Sequence, residues 1–132
     1  MQEPAFTPGL RFSILDGIVL IISAIATIAL SMMTWQWGFI VGYVVVHFYL
    51  FCNVFRISRP LELIWAGIFV CLAGFTIVTE SPGWAMAIAV SLVTTLIVIA
   101  IEMKKPSYHG VAWQKINPTL QSWWKARHNL PE

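Results

Sequence analysis

The sequence predicts an all-α integral membrane protein, a four-transmembrane-helix bundle of up-down-up-down topology followed by a C-terminal amphipathic interfacial helix. Three observations carry this. Of 132 residues, 58% are apolar and 11% charged, with a mean hydropathy of +0.77, far from the balance of a soluble domain. Apolar runs of about 20 residues, enough to cross about 30 Å of hydrocarbon, follow one another with short polar breaks. All eight Lys and Arg residues lie on one side of those breaks. The same composition excludes disorder, a collagen-like fibre and a disulfide-stapled scaffold. Cys52 and Cys71 both sit inside apolar runs and are expected to be reduced and buried.

An N-terminal segment over 1–12 precedes the bundle, which occupies 13–103. No charge intervenes between Asp16 and Arg56, a stretch too long for one span, so the chain must turn back within it. Thr34-Trp35-Gln36-Trp37-Gly38 supplies the turn, because two tryptophans and a glutamine suit a water–lipid boundary. The first helix is therefore placed at about 13–33 and the second at about 37–56. Helix one is read as a span and not as a cleaved signal, since it exceeds a usual signal core and its single Arg11 is balanced by Glu3. No lipidation motif is present at either end.

Arg56-Ile57-Ser58-Arg59-Pro60 forms the next break, with Ser58 as a cap and Pro60 in a first helical turn, giving a third helix over about 60–79. Thr79-Glu80-Ser81-Pro82-Gly83-Trp84 is a polar turn, and the fourth helix follows over about 84–103. Turns this short make sequential helices pack antiparallel. Arg11, Arg56, Arg59, Lys104, Lys105, Lys115, Lys125 and Arg127 then share one face, which the positive-inside rule makes cytoplasmic along with both termini. Compact loops favour a bacterial inner membrane.

The tail, 104–132, carries five basic residues, three tryptophans and two histidines without a spanning run. Asn117-Pro118 is a helix-start signal, and Leu120, Trp123 and Trp124 share one face of a helix over about 118–128 with Lys125 and Arg127 at its edge. This reads as a surface anchor for anionic lipid headgroups, with partner docking as the alternative. Trp35, Trp37, Trp84, Trp113, Trp123 and Trp124 are the expected interfacial anchors. His109 and His128, without further ligands, do not make a metal site.

Helices in lipid associate by close backbone approach and polar contacts. Small residues mark expected seams at Ser23, Thr27 and Ser31; at Gly38 and Gly42; at Gly67, Cys71 and Gly74; and at Ala87, Ser91 and Thr94/Thr95. His47 lies roughly 15 Å from either end of helix two, and an intramembrane ionisable group is a functional candidate by default. Ser23, Thr27, Cys71, Ser91 and Thr94 are at similar depth and are its expected hydrogen-bond partners. A proton relay is the sharper reading and a packed, satisfied histidine the plainer one. No cofactor is predicted, because haem or a metal at His47 needs ligands from a partner or second protomer.

Asp16, Asn53, Arg56, Arg59 and Glu62, with Glu102, form a second candidate layer at the basic end. A cross-helix ion-pair network is the expected role, with recognition of a lipid headgroup or substrate anion by Arg56 and Arg59 as the alternative. Gly-rich phosphate loops, zinc-protease, CxxC and serine-hydrolase motifs are absent, and nothing points to nucleic acid. The leading functional expectation is a non-enzymatic subunit or assembly factor of a membrane complex, or a homo-oligomer. The alternatives are a proton-coupled transporter or channel using His47, and a membrane enzyme acting on a lipid or quinone at the Asn53/Arg56/Glu62 layer.

Overall fold

The computed structural model describes residues 5–131. Residues 1–4 and 132 lie outside the described residues, and with them Glu3 and the outermost parts of the segments read as 1–12 and 104–132. The described chain is all-helical, and four helices are long and apolar enough to cross a membrane.

Helix α1 (Ile14–Met33) begins with a reciprocal capping box. The Asp16 backbone N–H donates to the Ser13 hydroxyl at 3.2 Å, and the Ser13 N–H donates to the Asp16 carboxylate at 2.7 Å. Thr34 alone, in an extended conformation, separates α1 from α2 (Trp35–Tyr49). The reversal is thus tighter than the sequence suggested, and α2 starts two residues earlier. Such a hairpin needs glycine where the helices cross. A Cβ on Gly38 would lie 2.7 Å from the Thr27 carbonyl oxygen, and one on Gly42 would lie 3.2 Å from the Thr27 methyl.

Beyond Tyr49 the helix widens into a π turn over Leu50–Val54, so this span ends at Val54 and not at 56. Arg56 takes a left-handed conformation, φ 52°, to leave it. Helix α3 (Arg59–Thr79) holds Pro60 in its first turn, where a missing N–H costs nothing. The Ser58 hydroxyl caps no helical N–H and donates instead to Glu102. Glu80, left-handed at φ 57°, ends α3, and α4 (Trp84–Met103) follows.

The bundle consists of two hairpins, α1 on α2 and α3 on α4, joined through the aromatic face of α2. The core is Phe51, Ile57, Trp65, Phe69, Ala73 and Val98. Helix α3 buries Glu62, Trp65, Phe69, Ala73 and Thr76, and α4 buries Ala87, Ser91, Thr95, Val98 and Glu102, both at helical spacing. The small residues of α1, α2 and α4 stand at contacts, as expected. Those of α3 do not: nothing lies within 4 Å of a Cβ on Gly67 or Gly74, and Cys71 is exposed. Helical spacing defines a face but not the direction in which it points, and Trp65 and Phe69 claim the opposite one. Cys52 is also exposed, which corrects the expectation of buried thiols. No residue of α1 is buried.

At the turn end, Trp35 and Trp37 are more than half exposed, and Trp35 meets Trp84 at 5.4 Å. At the basic end the chain builds a cap. The Gly9 N–H donates to the His109 carbonyl at 2.6 Å, that of Arg11 to Asn53 at 2.9 Å, and that of Val111 to Val54 at 2.8 Å. Gly110 sits directly against the Phe55 carbonyl group, where a Cβ has no room. The tail folds into α5 (Trp113–Ile116) and α6 (Leu120–Arg127), the latter shorter than expected. Asn117 is not its cap. Its buried amide donates to the carbonyls of Pro106 at 2.8 Å and Tyr108 at 3.1 Å, tying the tail to itself. Leu120 is fully buried, Phe6 packs against Trp113 at 5.8 Å and Trp124 at 5.6 Å, and Arg127 lies 5.6 Å over Trp123. Part of the expected lipid-facing side of α6 is therefore spent inside the cap.

Candidate functional site

Two polar levels stand out. The first surrounds His47, which is 6% exposed. Tyr43 and His47 are one helical turn apart on α2 and face Trp65 and Phe69 of α3. The imidazole stacks on the Trp65 indole at 4.5 Å with 16° between planes, and touches the Tyr43 ring at 4.3 Å. Nδ1 lies 2.9 Å from the Tyr43 carbonyl oxygen. Since a carbonyl only accepts, Nδ1 is the donor in this contact.

None of the expected partners reaches His47. Thr27 donates to the Ser23 carbonyl at 2.7 Å, Thr94 donates to Val90 at 2.8 Å, and Cys71 is on the outer face of α3. Ser91 serves Tyr43 instead, hydroxyl to hydroxyl at 2.7 Å. The Trp65 indole N–H donates to Thr95 Oγ1 at 2.8 Å and to the Ser91 carbonyl at 3.1 Å. Tyr43, Trp65 and Thr95 are thus polar members of the core: Thr95 stands at the seam expected for it, Tyr43 turns inward onto Trp65 and Phe69, and Trp65 is the one that sequence reasoning passed over. The signal was there, because an indole or phenol in mid-span has one polar atom that must find a partner.

The second level is at the basic end, and the structure divides the expected layer. Glu62 and Glu102, only 2% and 3% exposed, anchor two clusters. Glu62 accepts from the Cys52 thiol at 2.8 Å through Oε1 and pairs with Arg59 at 3.4 Å through Oε2. Glu102 accepts through Oε2 from Lys105 Nζ at 3.0 Å, from the Ser58 hydroxyl at 3.1 Å and from the Ser58 N–H at 3.4 Å. Lys105 Nζ also donates to Ser58 Oγ at 3.1 Å. Each buried carboxylate therefore has a cation and neutral donors, as a charge taken out of water requires.

Apart from Lys105, these residues line an open recess of about 420 Å³ together with Arg56, Ile57, Ser107 and His109. Arg56 Nη1 donates to the carbonyls of Thr7 at 3.2 Å and Gly9 at 3.4 Å, holding the N-terminal strap. Burial, and then the nearby Arg11 charge, hold this guanidinium below its ordinary value. His109 donates from Nδ1 to the Ser107 carbonyl at 2.9 Å.

Asp16 and Asn53 do not join that layer. They line a separate recess of about 210 Å³ between α1 and α2, with Val19, Leu20, Val45, Phe48, Tyr49 and Cys52. Asn53 Nδ2 is buried there without a hydrogen-bond partner. Among the described residues, no three His, Cys, Asp or Glu side chains converge to hold a metal ion. No protein-family model, curated protein or solved structure matches this chain.

Proposed function

We propose that the chain is a non-enzymatic membrane subunit or assembly factor that docks laterally against other helices, either of a partner or of its own copies. The outward stripe of α3 carries this reading. Gly67, Cys71 and Gly74 present backbone on a face that nothing among the described residues covers, and small residues of that kind let a second helix approach closely in lipid. The exposed apolar surface of α1 adds area for docking. A transporter needs a wettable path past His47, yet the rings of Tyr43, Phe51 and Trp65 pack on one side of it, and the recess of about 460 Å³ on its other side, between α1 and α2, is lined mainly by apolar groups. The positive-inside rule supports a cytoplasmic basic end with both termini, and compact loops support a bacterial inner membrane.

The test is mild-detergent purification of the tagged chain and of a Gly67→Leu/Gly74→Leu variant from native membranes, with mass spectrometry and native mass measurement. The new side chains have open space, so the fold is expected to persist while the assembly is lost. A wild-type chain that purifies as a lone monomer, or a variant that keeps the full assembly, overturns the reading.

A further inference from the structure

We infer that the recess at the basic end binds a zwitterionic phosphoethanolamine group, as carried by an aminophospholipid. The recess begins at Cys52 and Glu102, in the last turns of two spans, and is bordered by Ser107 and His109 of the tail. That position is the headgroup layer. Groups of both signs line it: the Arg56 and Arg59 guanidiniums, and the Glu62 and Glu102 carboxylates.

The distribution of free hydrogen-bonding atoms selects the ligand. Both oxygens of Glu62 are engaged. Glu102 lines the recess and uses only Oε2, so that among the described residues its Oε1 has no hydrogen-bond partner. One oxygen of a buried carboxyl group is thus left for a donor, and a charged ammonium group is the strongest donor it can meet. Arg59 gives one nitrogen to Glu62 and Arg56 one to the strap, so each keeps further N–H groups for a phosphate. A bare phosphate would satisfy the arginines but leave the open Glu102 oxygen without a donor, and a glycerol headgroup would offer it only neutral hydroxyls, weaker donors than an ammonium. A choline headgroup would bring positive charge without an N–H to give. The site therefore differs from the anion site that Arg56 and Arg59 suggest by themselves, because Glu102, although paired with Lys105 through Oε2, keeps Oε1 as an acceptor for an N–H donor.

The measurement is lipid binding to the purified full chain by native mass spectrometry. The probes are phosphatidylethanolamine, its N-methyl and N,N-dimethyl derivatives, phosphatidylcholine and phosphatidylglycerol, all with the same acyl chains. Affinity is expected to fall along the methylation series, by roughly tenfold or more between the first member and phosphatidylcholine, with phosphatidylglycerol also weaker than phosphatidylethanolamine. Glycerophosphoethanolamine, which has the headgroup and no acyl chains, separates the sources. If it displaces the lipid at similar concentration the site reads a free headgroup, and if it does not the site needs the chains. Arg59→Gln is expected to weaken phosphatidylethanolamine severalfold, and because it also strips Glu62 of its cation it is compared with Arg59→Lys, which keeps that charge and is expected to recover folding but only part of the binding. Equal binding of phosphatidylethanolamine and phosphatidylcholine, preference for phosphatidylglycerol, or no effect of Arg59→Gln overturns the assignment.

Discussion

The Trp65 indole is the polar hinge of the core, and its contribution can be measured by a double-mutant cycle. Trp65→Phe keeps an aromatic ring in the stack with His47 and Phe69 but removes the N–H that bridges Thr95 Oγ1 and the Ser91 carbonyl. Hydrogen bonds between helices in a bilayer average about 0.6 kcal/mol and reach about 1.7, so the two bonds together contribute about 1 to 2 kcal/mol. The missing ring leaves a void at a fully buried site, which adds about 1 kcal/mol. Trp65→Phe is thus expected to destabilise by about 2 to 3 kcal/mol. Thr95→Val is expected to cost less, because the Ser91 carbonyl still accepts from the indole. The coupling energy between the two sites is expected to be about 0.6 kcal/mol. Unfolding in mixed micelles, followed by far-ultraviolet circular dichroism, reads all four corners. Strictly additive losses would refute the reasoning, since they would mean that indole and hydroxyl do not share a bond.

Three further outcomes follow from the packing. Gly38→Leu is expected to force α1 off α2, an overpacking cost of about 3 kcal/mol or more, seen as new protease sites or spin-label separation across the hairpin. Burial, and then the Glu102 charge, raise the Tyr108 phenol above its ordinary value. Above pH about 10 the unfolded chain therefore loses this proton first, and stability falls by at most about 1.4 kcal/mol per pH unit until the folded phenol also ionises. The difference between wild type and Tyr108→Phe in thermal unfolding from pH 9 to 11 isolates that slope. Asn117→Ala strips donors from the carbonyls of Pro106 and Tyr108, so the tail is expected to loosen by about 1 to 3 kcal/mol and to be cut faster by trypsin after Lys104 and Lys115.

What the sequence made legible follows from which signals are local. The four spans lie within about two residues of their expected bounds, because apolar run length and interfacial tryptophans are properties of each segment alone. The Arg59–Glu62 pair was legible for the same reason, being fixed by helical spacing. Depth was also readable, but rotation was not. Ser23, Cys71 and Thr94 share the level of His47 yet point elsewhere, because the direction of each helix face is decided by neighbours. The cap was hidden for another reason. Its ties run from backbone to backbone, Gly9 to His109 and Val111 to Val54, and such bonds leave no mark on side-chain composition. The Ser13-x-x-Asp16 capping box was the opposite case, a local signal in plain view, and it explains why Asp16 is not free for the basic layer.

The two joints of this bundle are held by different physics. Across α1 and α2 the hydroxyls do not act as glue, since Thr27 and Ser31 both donate back within their own helix, to Ser23 and Thr27. That hairpin depends on dispersion at the glycine crossing. Between α2, α3 and α4 the opposite holds: Tyr43, Trp65, Ser91 and Thr95 form a connected polar chain inside an aromatic core. Lipid tails compete with dispersion contacts, but they offer no hydrogen-bond partner to compete for the polar chain. Helix α1 is therefore the element that another apolar surface can displace or extend at least cost, while the three-helix core and its cap persist. The same division puts the lateral docking proposed for α1 and α3 on the outer faces, and the headgroup recess where the polar chain's helices meet the cap.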